Sequence, residues 1–103
     1  MRYYEISALP FNDGQMIAGV SPLEADESEF IDQKKIWDCS PLDDEHDIWV
    51  EDGSLFKSAY FARIGSRRNI PLPAIVLGAS GENSVDAAIP LDEMINMVAL
   101  EED

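Results

Sequence analysis

Acidic side chains are the residues in this sequence whose number and spacing suggest chemistry. Residues 24–52 carry twelve Asp or Glu residues and only two lysines, whereas residues 53–81 carry four basic residues and no acid. Charge segregated in this way predicts a strongly negative face that is attracted to basic surfaces. The candidate partner-binding residues are Glu24, Asp26, Glu29, Asp32, Asp43, Asp44, Glu45, Asp47, Glu51 and Asp52.

The net charge is larger than solubility requires. It is formally −14 on 103 residues, whereas a magnitude of about 2 to 8 keeps a small domain soluble. Such an excess destabilises the compact state through self-repulsion, which indicates a binding role, although a solvated face without a partner is the alternative. The same charge repels nucleic acid and anionic membranes, so we expect neither direct nucleic-acid binding nor a membrane partner. The basic cluster at residues 63–69 is expected to pair with the protein's own acids or with an acidic spot on a partner.

The run DDEHD at residues 43–47 is the candidate for a metal site. It lacks the alternating acids and the internal glycine of an EF-hand loop. Zinc needs three or four protein ligands, and the chain has one His and one Cys. We therefore expect no metal and no other cofactor, and we interpret the run as a solvated acidic loop.

Catalysis by Cys39 or His46 is a further alternative. His46 beside carboxylates could act as a general acid–base. The chain has no nucleophile signature such as G-x-S-x-G, and a lone cysteine is more often a small core residue. We therefore expect that the protein is not an enzyme.

Length and composition indicate one domain, residues 1–103, because a chain of this size with 46% hydrophobic residues can bury a core of its own. Its apolar runs are far shorter than the roughly 20 residues of a membrane span. The N-terminal residues lack the apolar region of a signal peptide, and a single cysteine cannot form an internal disulfide. We therefore expect a cytoplasmic protein.

Two helices and a hairpin are predicted from local signals. Turn residues at 12–14 separate two apolar runs and predict a β-hairpin. Ser21, followed by Pro22 and by Glu24 in a capping-box position, predicts a helix over about 22–34. Pro90 and the apolar spacing of the residues after it predict a helix over about 91–100.

The remaining segments favour short strands. The acidic segment 40–47 begins like a helix but lacks a periodic apolar run, so we predict a loop or one helical turn before a strand over 48–51. Residues 54–64 fit either a helix or an aromatic-rich strand, with the helix preferred. The stretch PLPAIVLGA, with its continuous apolar run, predicts a strand over 71–79 that is buried on both faces. Together these elements predict an α+β fold with a small antiparallel or mixed sheet of about three to five strands and two to three helices.

In size and charge the chain resembles small acidic inhibitors, such as phage anti-defence proteins that imitate nucleic acid and immunity proteins that block toxin nucleases. This resemblance implies a partner with a basic surface, namely a nucleic-acid-binding protein or a nuclease. Trp37 or Trp49 could anchor such an interface, although a core role is expected for each. The alternative is a structural or assembly subunit whose acidity only provides solubility.

Overall fold

The computed structural model describes residues 1–26, 28, 37–51, 53, 57–81 and 83–101. Within these residues the protein is mostly β, with two antiparallel sheets and one short helix. The elements are β1 (Arg2–Phe11), β2 (Gln15–Glu24), β3 (Trp37–Asp43), β4 (His46–Glu51), β5 (Phe61–Ile64), β6 (Arg67–Pro71), β7 (Ala74–Ser80), β8 (Asn83–Val85), α1 (Leu91–Met97) and β9 (Val98–Glu101). The prediction of an α+β fold with two to three helices is therefore wrong.

The larger sheet has the strand order β2-β1-β7-β4-β3, and β8 also pairs with β7. Strand β4 occupies one edge of β7 from Ala74 to Gly78. Because a strand has only two edges, β1 and β8 share the other one, with β1 at Ala74–Val76 and β8 at Gly78–Ser80. The smaller sheet has the order β6-β5-β9.

The main core joins the two sheets and the helix. Its fully buried side chains include Ile6 and Ile48 of the larger sheet, Ile64 of the smaller sheet and Met94 of α1. Each such side chain contributes about 1.5–3 kcal/mol through burial. The alternation of buried and less buried residues along β4 reflects one face directed into this core.

A second apolar cluster lies on the opposite face of the larger sheet. Ile75 and Leu77 of β7 are buried there, with Tyr3, Trp37 and Trp49 packed against them. Strand β7 is therefore buried on both faces, which confirms the prediction made from its continuous apolar run. Both tryptophans take the core role that was expected for them, since they pack on this cluster.

The N-terminal hairpin is confirmed, and it is longer than its turn signal indicated. Asn12, Asp13 and Gly14 have φ values of 34°, 45° and 85°, the left-handed region that Asn, Asp and Gly tolerate best. From this turn β1 and β2 pair continuously as far as Arg2 opposite Glu24.

The helix predicted over 22–34 is wrong at Pro22–Glu24, because these residues belong to the β1–β2 ladder. Ser21 pairs with Glu5 and Pro22 with Tyr4, so the capping-box residues are strand residues. Pro22 lies in an edge strand, which is where proline is tolerated within sheets. Residues 27 and 29–34 of the predicted helix lie outside the described residues.

The C-terminal helix is confirmed over Leu91–Met97 and ends earlier than predicted. Val98 and Leu100 instead pair with β5 as part of β9. In α1 the expected apolar stripe is only partly buried, because Met94 is fully enclosed whereas Ile95 remains 53% exposed. Pairing with β5 satisfies the backbone of residues 98–101 and ends the helix.

Two further predictions are corrected in the middle of the chain. Segment 40–47 is not a loop, because β3 and β4 form a hairpin whose turn is at residues 44–45. The predicted strand over 48–51 is confirmed as part of β4. The helix predicted over 54–64 is wrong at Phe61–Ile64, which forms β5 between β6 and β9. Residues 54–56 lie outside the described residues.

Candidate protein-binding surface

Strand register brings two distant acidic segments to the same end of the larger sheet. Glu24, the last residue of β2, lies opposite Arg2. At the other edge, Asp43 lies opposite His46, and His46 in turn lies opposite Gly78 of β7. The two edges are four strand spacings apart, or about 19 Å at roughly 4.8 Å each.

The residue Asp86 links these two edges. One of its carboxylate oxygens accepts a hydrogen bond of 2.9 Å from the backbone N–H of Arg2, and its neighbour Val85 pairs with Gly78. The end of the sheet therefore presents exposed carboxylates across its whole width. We call this set the acidic end, and it consists of Glu24, Asp26, Asp43, Asp44, Glu45 and Asp86.

Five of the ten acids that were predicted to bind a partner thus lie at the acidic end. Asp86, its sixth residue, was not among the predicted ones. Asp86 lies outside the acid-rich run 24–52, so the composition gave no reason to select it. Only the pairing of β7 with β8 brings Asp86 to the acidic end. Three of the predicted residues lie outside the described residues, namely Glu29, Asp32 and Asp52.

The remaining two predicted acids lie elsewhere. Asp47 is half-buried on the face that carries the tryptophans, opposite Leu77. Glu51 ends β4 opposite Trp37, at the far end of this hairpin from Asp43. An acid-rich stretch of sequence is therefore divided between separate parts of the surface, because β3 and β4 run in opposite directions.

His46 is a buried residue whose two ring nitrogens make hydrogen bonds at the acidic end. Its side chain is only 4% exposed, and its Nδ1 lies 3.0 Å from Oδ1 of Asp43. Its Nε2 lies 3.0 Å from the backbone nitrogen of Ala88. A backbone N–H can only donate, so Nε2 accepts, and the proton of the neutral ring lies on Nδ1 and is donated to Asp43. His46 thus connects the β3–β4 turn to the segment that leads to α1.

The pKa of Asp43 is lowered from its ordinary value of 3.8. Partial burial acts to raise it, but hydrogen bonds from the backbone N–H of Glu45 and from the ring of His46 outweigh that effect by stabilising the carboxylate. Asp43 is therefore held as a negative charge at one edge of the acidic end.

The basic cluster at residues 63–69 makes contacts within the protein. Arg68 lies 3.8 Å from a carboxylate oxygen of Glu101, and Nε of Arg67 donates to the backbone oxygen of Pro41 at 2.6 Å. The expected pairing with the protein's own acids is thus found for Arg68. The contact of Arg67 joins the smaller sheet to the edge strand β3.

Cys39 and His46 are on opposite faces of the β3–β4 hairpin. Cys39 is exposed and pairs with Trp49, whereas His46 shares the core-directed face of β4 with Ile48. The two side chains are therefore not placed to act as a nucleophile–base pair. In the part of the chain that the structure describes, no group of three or more His, Cys, Asp or Glu residues is placed to hold a metal ion.

Comparison with known proteins gave no match to a protein-family model, to a curated protein or to a solved structure. Among the described residues, no helix has both the length and the apolar character needed to cross a membrane.

Proposed function

We propose that this protein is a non-enzymatic inhibitor that docks its acidic end onto the basic surface of a nucleic-acid-binding protein or nuclease, in the manner of anti-defence and nuclease-immunity proteins. The observation that supports this proposal is the row of carboxylates from Glu24 at one sheet edge to Asp43 at the other. Surfaces that bind nucleic acid are rich in Lys and Arg, so a row of carboxylates is complementary to them.

The arrangement suits fast, salt-dependent association. Charges concentrated at one end of a small protein create a field that orients it during approach and raises the association rate. The larger sheet fixes the backbone of Glu24 and Asp43 at its two edges, so little conformational freedom of that backbone is lost on binding. Because exposed charges are screened by salt, the affinity is expected to fall steeply as ionic strength rises.

Two matched double variants test this proposal. Asp44→Lys with Glu45→Lys reverses two charges in the acidic end. Asp38→Lys with Glu51→Lys makes the same change in net charge at the other end of the same hairpin, where both residues are also exposed. Tagged protein first captures partners from a lysate of the source organism, and the purified partner is then used to measure affinity at several salt concentrations.

We expect the Asp44/Glu45 variant to bind at least about tenfold more weakly, with a smaller salt dependence, and the Asp38/Glu51 variant to bind nearly as well as the wild type. The wild type should also displace nucleic acid from the partner. Equal losses for the two variants would show that only total charge matters, and unchanged binding by both would refute an electrostatic interface.

An assembly subunit is the second candidate function, and the hairpin formed by β1 and β2 supports it. Leu9, Phe11 and Ile17 near its turn are 43%, 51% and 42% exposed, and their positions place them on one face. Light scattering coupled to size-exclusion chromatography tests this candidate. A stable oligomer that is lost on Phe11→Ser with Ile17→Ser, while partner binding through the acidic end is absent, would favour it.

A further inference from the structure

Residues 86–89, which we call the linker, lead from β8 to α1 and are joined to β1 at both of their ends. The backbone N–H of Arg2 donates to Oδ1 of Asp86 at 2.9 Å. The hydroxyl of Tyr4 donates to the backbone oxygen of Ile89 at 2.6 Å. These bonds hold the linker against β1.

Ala88 joins the linker to β4 through the ring of His46. The backbone N–H of Ala88 donates to Nε2 of His46 at 3.0 Å. The side chain of His46 is 4% exposed, and its Nδ1 lies 3.0 Å from Oδ1 of Asp43. Nε2 can accept a hydrogen bond only while it carries no proton, so the contact with Ala88 exists only for the neutral ring.

We propose that His46 is a pH-sensitive switch, in which uptake of a proton at Nε2 breaks the bond to Ala88 and releases the linker from β4 while it stays joined to β1. An imidazolium donates from both nitrogens, so Nε2–H and the N–H of Ala88 would point at each other across 3.0 Å. Two donors cannot bond to each other. Ala88 is an exposed residue, so a small displacement lets water accept hydrogen bonds from both groups.

The bond to Asp43 decides which contact of the ring is lost. Nδ1 carries its proton in both states of the ring, and its bond to the carboxylate becomes charge-assisted when the ring is protonated. The pKa of Asp43 is lowered from its ordinary value of 3.8, so this carboxylate stays ionised where histidines titrate. The charged ring therefore remains with Asp43, and the Ala88 contact is the one that opens.

The other charged groups near this end of the hairpin are exposed, so solvent screens their effect on the ring. On β7 the residue opposite His46 is the uncharged Gly78, and Asp47 lies on the opposite face of β4. Among the described residues, the remaining titratable side chains on the hairpin turn, the linker and the elements that adjoin them are Asp44, Glu45, Asp86, Asp92, Glu93, Arg2, Arg67 and the hydroxyl of Tyr4.

Nuclear magnetic resonance can follow the switch directly, because His46 is the only histidine in the chain. Its ring ¹⁵N signals report the tautomer and the uptake of a proton between about pH 8 and pH 5. Hydrogen exchange of the Ala88 amide, expressed as a protection factor to remove the intrinsic effect of pH, reports its hydrogen bond. The Ala87 amide, which donates to the backbone oxygen of Arg2 at 2.9 Å, is a matched control one residue away.

We expect a neutral ring protonated at Nδ1. Protection of the Ala88 amide should fall at least about fivefold, with the same midpoint as protonation of the ring. Protection of the Ala87 amide should stay constant.

His46→Gln is the variant that removes the titration. Its side-chain oxygen can accept from the N–H of Ala88, and an amide takes up no proton in this pH range. Protection of Ala88 in this variant should therefore not depend on pH. If the variant does not fold, the titration of the wild type decides the question by itself.

Three results with the wild type would each overturn the inference: a neutral ring protonated at Nε2, a ring that takes up no proton in this range, or constant protection of Ala88 while the ring titrates. Equal losses at Ala87 and Ala88 would also overturn it, because the whole linker would then be opening. A pH-dependent loss that persists in folded His46→Gln would assign the switch to a different group. None of these readouts involves a partner, so they stand apart from the proposed function.

Discussion

The two ends of the β1–β2 ladder differ in charge, in packing and in the way they are held. One end contains Arg2 and Glu24 and belongs to the acidic end. The other, which we call the hairpin tip (Ser7–Gly19), carries a single charged residue, Asp13. The backbone near Arg2 is joined to Asp86 and Ala87 by hydrogen bonds, whereas β1 pairs with β7 only as far as Ile6.

This difference shows that the charge of −14 is not a uniform property of the surface. The six carboxylates of the acidic end lie where His46 and Asp86 accept hydrogen bonds from backbone N–H groups and Tyr4 donates one to a backbone oxygen. Exposed apolar side chains are gathered where the hairpin extends beyond its neighbour in the sheet. An electrostatic partner should therefore recognise the acidic end, and an apolar contact should form at the hairpin tip.

The largest expected effect comes from replacing His46. His46→Ala removes a buried side chain and both of its hydrogen bonds, so it should lower the free energy of unfolding by about 2–4 kcal/mol. Phe11→Ala in the hairpin tip removes a side chain that is 51% exposed and should cost about 1 kcal/mol or less. Urea denaturation of both variants measures the two losses of unfolding free energy. A larger loss for Phe11→Ala would contradict the conclusion that the acidic end is held more firmly than the hairpin tip.

Two glycines offer a second contrast. A Cβ at Gly78 would lie within 3.0 Å of the backbone carbonyl of Asp86, and one at Gly19 would lie within 3.0 Å of the side-chain end of Leu9. Backbone fixed by hydrogen bonds cannot move away easily, whereas the exposed Leu9 side chain can rotate. Gly78→Ala should therefore cost about 2 kcal/mol of unfolding free energy and Gly19→Ala about 1 kcal/mol or less.

The same denaturation series checks this prediction, with the amide spectrum as a second readout. Gly78→Ala should shift the amides of residues 86–89, and Gly19→Ala should shift only those near Leu9. Equal losses of stability would mean that the backbone beside Asp86 adapts as readily as an exposed side chain.

Acid should weaken the acidic end before the hairpin tip. The pKa of Asp43 is lower in the folded protein than its ordinary value of 3.8, so the folded state favours the carboxylate. The resulting stabilisation is present above pH 3.8 and is lost as the pH falls through the lower folded pKa. Asp43→Asn removes this titration and should flatten the pH dependence of the unfolding free energy below pH 3.8. An unchanged acid profile in this variant would assign the pH dependence to other carboxylates.

The smallest expected effect on stability is that of Arg2→Ala. The ion pair of Arg2 with Glu24 is exposed, so its loss should change the free energy of unfolding by about 0.5 kcal/mol or less. The backbone bonds of Arg2 to Asp86 and Ala87 do not involve the side chain and should persist. A loss similar to that of His46→Ala would show that this exposed pair contributes substantially to the stability of the acidic end.

Local signals predicted the elements that are specified by the residue types within one short stretch of the chain. The turn at Asn12–Gly14 adopts the backbone conformation that its residues favour, and the β1–β2 hairpin follows from it. The helix after Pro90 begins where it was predicted. The apolar run of β7 correctly indicated a strand that is covered on both faces.

The misassigned segments are those in which pairing decided the structure. Ser21–Glu24 has the residues of a capping box, but the β1–β2 ladder extends through it. Segment 40–47 is polar because much of β3 is exposed at a sheet edge, where a strand needs little apolar character. Residues 98–101 continue a helical pattern in sequence, yet they form a strand that pairs with β5.

The charge, its segregation between residues 24–52 and 53–81, and the turn at 12–14 follow from the amino-acid sequence alone, because they depend on residue type and near neighbours. Which carboxylates lie together depends instead on the folded arrangement of the strands. Strand register placed Asp86 beside Arg2 and turned Glu51 away from Asp43. Register depends on the pairing and burial of residues far apart in the chain, and a charge count carries no information about that pairing.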